Sequence, residues 1–356
     1  MPAEDLPGLF APAWTFAALP PELCAYGTAR AVVLPVPYDA TTTFRGGTRD
    51  GPRAIIGASR ELELYDIELG REPAALGIHT CPELEPHLGD PAQMVERVRL
   101  AVAGLLGDGK LPIMLGGEHT LTAGSVAACA AAWPDLALLY LDAHADMRGP
   151  YLGATHNHAS ALRLSLEHLD RPQRTPSRVE RAERATREGA PRDGGGPASR
   201  VPGQETADSE RRREAPPAVL VGVRSMASEE AAAIATSGLH VVGADRVAAT
   251  RRSGQAAVER LWQETVDRLG PPGRPLYVSI DLDVFDPGVL PAVGTPEPGG
   301  LEWYEVLALL REAARRFRVV MADVMELAPA EGPLASTFTA AKLAYKVIGY
   351  SLASDP

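Results

Sequence analysis

Leu138-Leu-Tyr-Leu-Asp142-Ala-His144-Ala-Asp146 is the stretch whose reading decides the fold. An apolar run of strand length passes directly into Asp-x-His-x-Asp. In extended backbone, residues i, i+2 and i+4 project to one side, so Asp142, His144 and Asp146 converge on one point. Two other segments share the design: Leu111-Pro-Ile-Met-Leu-Gly-Gly-Glu118-His119 and Leu276-Tyr-Val-Ser-Ile-Asp281-Leu-Asp283. If the three runs are parallel strands, their acidic and imidazole groups collect at one carboxyl edge, where open α/β folds place their sites.

Working outward, strand-length apolar runs occur at Ala31–Val36, Ala75–Ile78, Leu111–Leu115, Leu136–Leu141, Ala218–Val223, His240–Gly243, Leu276–Ile280 and Val319–Asp323. Stretches with helical periodicity lie between and after them at Met94–Leu106, Ala256–Leu269, Trp303–Arg316 and Thr337–Leu352, the last of which could end in an additional strand. This alternation predicts an α/β fold with a mainly parallel sheet of about eight strands, covered on both faces. One segment departs from it. Residues 170–217 are rich in Arg, Glu, Gly and Pro and nearly free of large apolar groups. Such a composition cannot bury enough surface to offset ordering entropy. It reads as a flexible insertion within a single domain spanning 1–356, with a partner-binding or regulatory arm as the alternative reading.

Composition bounds the function. The chain has 356 residues, 45% of them apolar, ample for a large core, and carries a net charge of −11. That charge argues against nucleic acid as a partner and is compatible with a small cationic substrate. Cys24, Cys81 and Cys129 lack redox or metal-ligand spacing, which points to free, buried thiols in a reducing compartment. The acidic N-terminus shows no signal peptide pattern, and no apolar run reaches the ~18 residues of a membrane span. A cytoplasmic location without membrane contact is expected.

Electrostatics narrows the chemistry. Asp142, Asp146, Asp281 and Asp283 in one crevice repel one another by on the order of 4 kcal/mol per pair at ~4 Å and an effective dielectric near 20. Divalent cations relieve this better than protons do. Carboxylates and imidazoles without thiolate favour Mn²⁺, with Zn²⁺, Co²⁺ or Fe²⁺ as alternatives.

Gly116-Gly-Glu-His119, Asp142-Ala-His-Ala-Asp146 and Ser279-Ile-Asp-Leu-Asp-Val-Phe-Asp-Pro287 resemble the signature motifs of the arginase/agmatinase (ureohydrolase) family. The resemblance runs from about Val32 through Thr337, excluding 170–217. Gly294-Thr-Pro-Glu-Pro-Gly-Gly300 and Val36-Pro-Tyr-Asp-Ala-Thr-Thr-Thr-Phe-Arg-Gly-Gly47 are similar to the agmatinase form. The resemblance implies a three-layer αβα sandwich and two Mn²⁺ ions. By motif position, one ion takes His119, Asp142, Asp146 and Asp281. The other takes His144, Asp142, Asp281 and Asp283, so that Asp142 and Asp281 bridge. Glu326 falls on the family's guanidinium-orienting glutamate, and Thr295 lines the same pocket. The proton-shuttling histidine matches His158, with His156 as the alternative. His79, His87, His168 and His240 lie outside any motif.

The implied reaction is attack of a metal-bridging hydroxide on a guanidinium carbon, with Asp146 accepting a hydrogen bond from the nucleophile. Agmatine plus water would give putrescine plus urea. Gly153-Ala-Thr-His156-Asn157 replaces the Ser-Gly-Asn run that arginases place before the shuttle histidine, which favours agmatine over arginine. After Asp146-Met-Arg148, Gly149-Pro150 stands where agmatinases often have acidic residues, which keeps guanidinobutyrate open. Alternatives are guanidinobutyrase, arginase or formiminoglutamase, a two-metal phosphoesterase, and a non-catalytic binding protein. The family's habit implies a homo-oligomer, a trimer or hexamer.

Overall fold

Eight apolar runs become strands: β1 (Ala31–Val36), β2 (Ile78–Thr80), β3 (Leu111–Gly116), β4 (Ala137–Leu141), β5 (Ala218–Val221), β6 (His240–Val242), β7 (Pro275–Asp281) and β8 (Arg318–Met325). They are seen in a computed structural model that describes residues 13–170 and 216–353. Apart from its two ends, the expected insertion at 170–217 lies outside the described residues, as do 1–12. The strands form one sheet in the order β2-β1-β3-β8-β7-β4-β5-β6, and every pairing is parallel.

The side-chain alternation of each strand feeds two separate cores. Val33, Ile113, Leu139, Leu141, Val278 and Ile280 pack on one face, while Val32, Leu34, Met114, Leu138, Tyr140 and Tyr277 pack on the other. Ten helices are described: α1 (Pro21–Cys24), α2 (Gly51–Ser59), α3 (Pro91–Gly107), α4 (Thr122–Ala132), α5 (Ala161–Leu169), α6 (Ser228–Ser237), α7 (Ala244–Arg251), α8 (Gln255–Asp267), α9 (Trp303–Arg316) and α10 (Leu334–Ala353). Apolar residues of α2 and α7–α10 complete the first core, and those of α3–α6 the second. The result is the expected αβα arrangement of three layers.

Two expectations change in detail. The run Ala75–Ile78 is not one strand: Pro73–Leu76 forms a 3₁₀ turn and β2 starts only at Ile78. Gly77, between them, has a left-handed φ of 80° and ends the turn. The last helix runs to Ala353 and contains no strand. No helix among the described residues is long and apolar enough to cross a membrane. Cys129 is buried, while Cys24 and Cys81 are half-buried; all three thiols are free.

Parallel registry brings the motif residues to one edge. Leu141 pairs with Ile280, and Asp281 with Met325, so Asp142, Asp281 and Glu326 end neighbouring strands together. On the other side of β8, the end of β3 meets the chain leaving β1. Gly117 N–H donates to Val36 O (3.0 Å) and Glu118 N–H to Tyr38 O (2.8 Å). A Cβ at position 117 would lie 1.8 Å from Tyr38 O, so only glycine permits this approach. Gly117→Ala should lower stability by about 3 kcal/mol through forced backbone displacement. An unfolding free energy from urea titration within about 0.5 kcal/mol of the parent would show that this strand end yields freely.

Candidate metal centre

The carboxyl edge of the sheet holds the motif residues as two contiguous sets. In the first, His119 Nδ1 lies 3.0 Å from Asp281 Oδ2 and 3.1 Å from Asp142 Oδ2, with Asp146 Oδ2 at 3.6 Å. In the second, His144 Nδ1 lies 2.9 Å from Asp283 Oδ2 and 3.5 Å from Asp142 Oδ1. Asp142 thus turns one oxygen toward each imidazole. The ligand atoms of His119, Asp142 and Asp281, and those of Asp142, His144 and Asp283, are each close enough to share one ion. Asp142 is common to both sets, whereas Asp281 appears in the first; its Oδ1 accepts the Asp283 N–H (2.9 Å). His119, the four aspartates and Glu326 are buried, and His144 is the most exposed of the group.

Backbone geometry aims these groups at some cost. Asp146 (φ 50°) and Glu326 (φ 66°) both occupy the left-handed region, which costs a non-glycine residue on the order of 1–3 kcal/mol. Surrounding bonds hold them there. Tyr140 Oη donates to Asp146 Oδ2 (2.9 Å), and Arg163 N–H to Asp146 O (3.0 Å). Glu326 N–H donates to Gly117 O (3.0 Å), while one Glu326 carboxylate oxygen accepts the His119 N–H (2.6 Å).

The residues fit a pair of divalent cations on internal grounds. His119 Nε2 lies 2.7 Å from Ser279 Oγ, which donates its one proton to Asp323 Oδ1 (2.8 Å). Ser279 therefore accepts from Nε2–H, and the Nδ1 lone pair is left facing three carboxylates. A lone pair against carboxylate oxygens is repulsive unless a proton or a metal lies between. Asp142 Oδ2, buried and without a hydrogen-bond partner, shows the same deficit. Protons answer it in the metal-free cluster. Against burial, the Asp142 and Asp281 carboxylates hold His119 well above its ordinary range, and Asp283 with Asp142 holds His144 up to about 12. Burial and the Asp142 charge push Asp146 well up, and burial with Asp283 and Asp142 does the same to Asp281. Asp142 is held low by its two imidazoles despite burial. A cluster that must trade protons internally is one that metal ions would relieve.

A cavity of about 270 Å³ opens onto the second set. His144, Asp146, His158, Thr295, Thr43 and Arg148 contribute to its wall. Thr295 Oγ1 donates to Asp283 Oδ2 (3.3 Å). His156 lies outside this wall, with its Nδ1 3.2 Å from Thr155 Oγ1. Glu326 sits deeper, beside His119, where burial and the Asp281 and Glu118 charges push its carboxyl well up.

Several supporting residues escaped the sequence reading. Asp323 is fully buried and accepts from Thr122 Oγ1 (2.7 Å), Tyr277 Oη (2.5 Å) and Ser279 Oγ. Its place within a β8 run that ends in a site residue was the available signal. Arg224 gave none: its guanidinium donates to the carbonyls of Gly222, Asp283, Val284, Phe285, Glu297 and Pro298 at 2.7–3.4 Å, tying the Asp283 segment to the Thr295 segment.

Known proteins share this organisation. An N(1)-aminopropylagmatine ureohydrolase of Synechocystis sp. is 34% identical over 334 residues, covering 92% of this chain and 91% of the relative. An agmatinase of Bacillus subtilis is 29% identical, covering 85% and 84%. The crystal structure of an agmatine ureohydrolase from Thermoplasma volcanium superimposes with a TM-score of 0.71 at 28% identity, covering 92% of each chain. The model of the Arginase family matches residues 29–349. Matched by that family's model over residues 29–349 and similar to these proteins over most of its length, this chain belongs to the Arginase family.

Proposed function

We propose that this Arginase-family hydrolase is a binuclear amidinohydrolase that cleaves agmatine to putrescine and urea. The observation that carries the reading is Asp142, which offers one oxygen to each of two imidazole–carboxylate sets and whose buried Oδ2, 3.1 Å from His119 Nδ1, makes no hydrogen bond. His119, Asp142, Asp146 and Asp281 would hold one Mn²⁺, and His144, Asp142, Asp281 and Asp283 the other. Such ions, when bound, make water nucleophilic near neutral pH.

The chain's own groups supply orientation and proton handling. Glu326 is fixed by the His119 N–H and pairs its remaining oxygen with the guanidinium, so the electrophilic carbon is aimed before reaction. Asp146 has Oδ2 engaged by Tyr140, which leaves Oδ1 to accept a hydrogen bond from the attacking water. The departing amine needs a proton. His158 lines the cavity, and burial together with the neighbouring His144 charge pushes its imidazolium down to about 4. It is therefore neutral at rest near pH 7 and relays a proton released by the attacking water, instead of storing one. Thr295 borders the substrate and braces Asp283.

The substrate tail is the cationic end of a guanidino amine. An agmatine carrying an N1-aminopropyl arm is the second reading, favoured by the name of the Synechocystis relative. Urea release by Mn²⁺-reconstituted protein across agmatine, N1-aminopropylagmatine, arginine, guanidinobutyrate and guanidinopropionate decides between them. Arginine should trail the better amine about a hundredfold in kcat/KM, because Arg148 on the cavity wall is already paired with Glu229 and Glu230. A preference for any carboxylate-bearing substrate overturns the cationic-tail reading.

Substitutions separate the roles. Asp281→Asn should lose metal and urea release together. Glu326→Gln should retain metal, measured by elemental analysis, while turnover drops about a thousandfold. His158→Asn should also retain metal and slow turnover by about a hundredfold or more; unchanged turnover moves the shuttle to His156 or elsewhere. Metal binding carries a pH signature. His119 and His144 hold protons in the metal-free protein at pH 7 and must release them to ligate, so affinity should rise with pH. Calorimetry in buffers of different ionisation enthalpy reads the protons released, and pH-independent affinity would contradict the cluster described above.

A further inference from the structure

The chain between β1 and α2 contributes none of the metal-set residues, yet two buried carboxylates fix its course. Asp39 Oδ2 accepts the N–H groups of Gly47 (2.8 Å) and Arg49 (3.3 Å), and Asp39 Oδ1 accepts from the Arg49 side chain. Glu118 has no solvent exposure, and both its oxygens meet Thr41, with Thr120 beside them: Oε2 accepts Thr41 N–H (2.5 Å) and Oε1 accepts Thr41 Oγ1–H (2.6 Å). Burying a carboxylate to hold a single loop threonine is expensive unless the placement of that loop matters. With its proton committed to Glu118, Thr41 Oγ1 accepts the His158 N–H (3.0 Å). Two residues on, the exposed Thr43 presents Oγ1 at 3.0 Å from His158 Nε2, on the wall of the same cavity. The loop thus grips His158 twice, by its backbone through Thr41 and by its ring through Thr43.

We propose that Thr43 is a positioning residue for His158, its hydroxyl accepting the Nε2–H and so fixing both the ring orientation and the tautomer. The inference rests on His158 as the proton relay. Among the described residues, Thr43 Oγ1 is the hydrogen-bond partner of this ring, and a neutral imidazole is most stable with its proton where an acceptor lies. The Nε2 proton is then held on the cavity wall; once the ring has taken the proton released by the attacking water on Nδ1, the Nε2 proton passes to the nitrogen of the departing amine. The ring is cationic only between those two transfers and ends neutral with its proton on Nδ1, from which exchange with solvent restores the Nε2–H form. Thr43 itself gains and loses nothing. Loss of the hydroxyl frees the ring to rotate and exchange tautomers while Thr41 still anchors the backbone.

The test uses the full-length, Mn²⁺-loaded protein. Thr43→Val keeps shape and, at an exposed position, leaves the core untouched. It should lower kcat about tenfold, keep KM for agmatine within twofold and leave metal content unchanged. Thr43→Ser should restore kcat to within twofold of the parent. In ¹⁵N-histidine NMR with diamagnetic Zn²⁺ in place of Mn²⁺, neutral His158 should be the Nε2–H tautomer in the parent and in Thr43→Ser, and a mixture in Thr43→Val. An Nδ1–H tautomer in the parent, full turnover in Thr43→Val, or a serine variant as slow as valine overturns the proposal. His158→Asn, assayed in parallel, separates the two layers. If it slows turnover while Thr43→Val does not, the role of Thr43 fails alone; if it has no effect, the relay reading fails and takes this inference with it.

Discussion

Asp142 faces two imidazoles at once, and its neighbours Asp146, Asp281 and Asp283 stand close enough that their charges cannot all persist without cations. That repulsion is the constraint the rest of the structure answers. It demands a frame stiff enough to hold like charges together, and a parallel sheet buried on both faces is such a frame. Each ligand strand is hydrogen-bonded on both sides, so the aspartates cannot drift apart by local fraying. The left-handed turns at Asp146 and Glu326 spend part of the stability that this frame supplies. The Ser279–Asp323 pair beneath His119 sets which imidazole nitrogen faces the charges, a task that the acidic cluster could not perform for itself.

Much of this was legible in the sequence because extended backbone has a period of two. Asp142, His144 and Asp146 could be assigned to one side of one chain segment without knowing any tertiary contact, and Asp281 with Asp283 likewise. The strand pattern was legible for the same reason that it failed at Ala75–Ile78: apolar content alone does not register that Gly77 takes a left-handed φ. What the sequence could not express is contact between distant segments through polar groups of ordinary type. Thr41, Thr43 and Arg224 carry no periodic signal, and their partners lie 59–117 residues away for the contacts that matter most. Asp323 read as the end of an apolar run, and only the packing of Thr122, Tyr277 and Ser279 around it shows a carboxylate satisfied inside the core.

The two halves of the site are thus built from different material. Strand ends supply the groups that would hold metal, and their positions follow from sheet registry. Loops supply the wall of the cavity beside them: the segment after β1 holds His158, the segment after β4 carries Arg148, and the segment after β7 carries Thr295. This division follows the general logic by which α/β folds keep chemistry on the scaffold and selectivity on the connections.

Arg224 adds a consequence for how such a protein can diversify. Its guanidinium grips six backbone carbonyls and none of the side chains of the segment it organises. Every residue type offers that same carbonyl. With Asp286 kept, whose carboxylate accepts the N–H groups of Gly288, Gly299 and Gly300, mutational drift further along the loop can therefore replace what it displays while its path survives, leaving a template on which new substrate preferences can evolve beside an unaltered catalytic floor.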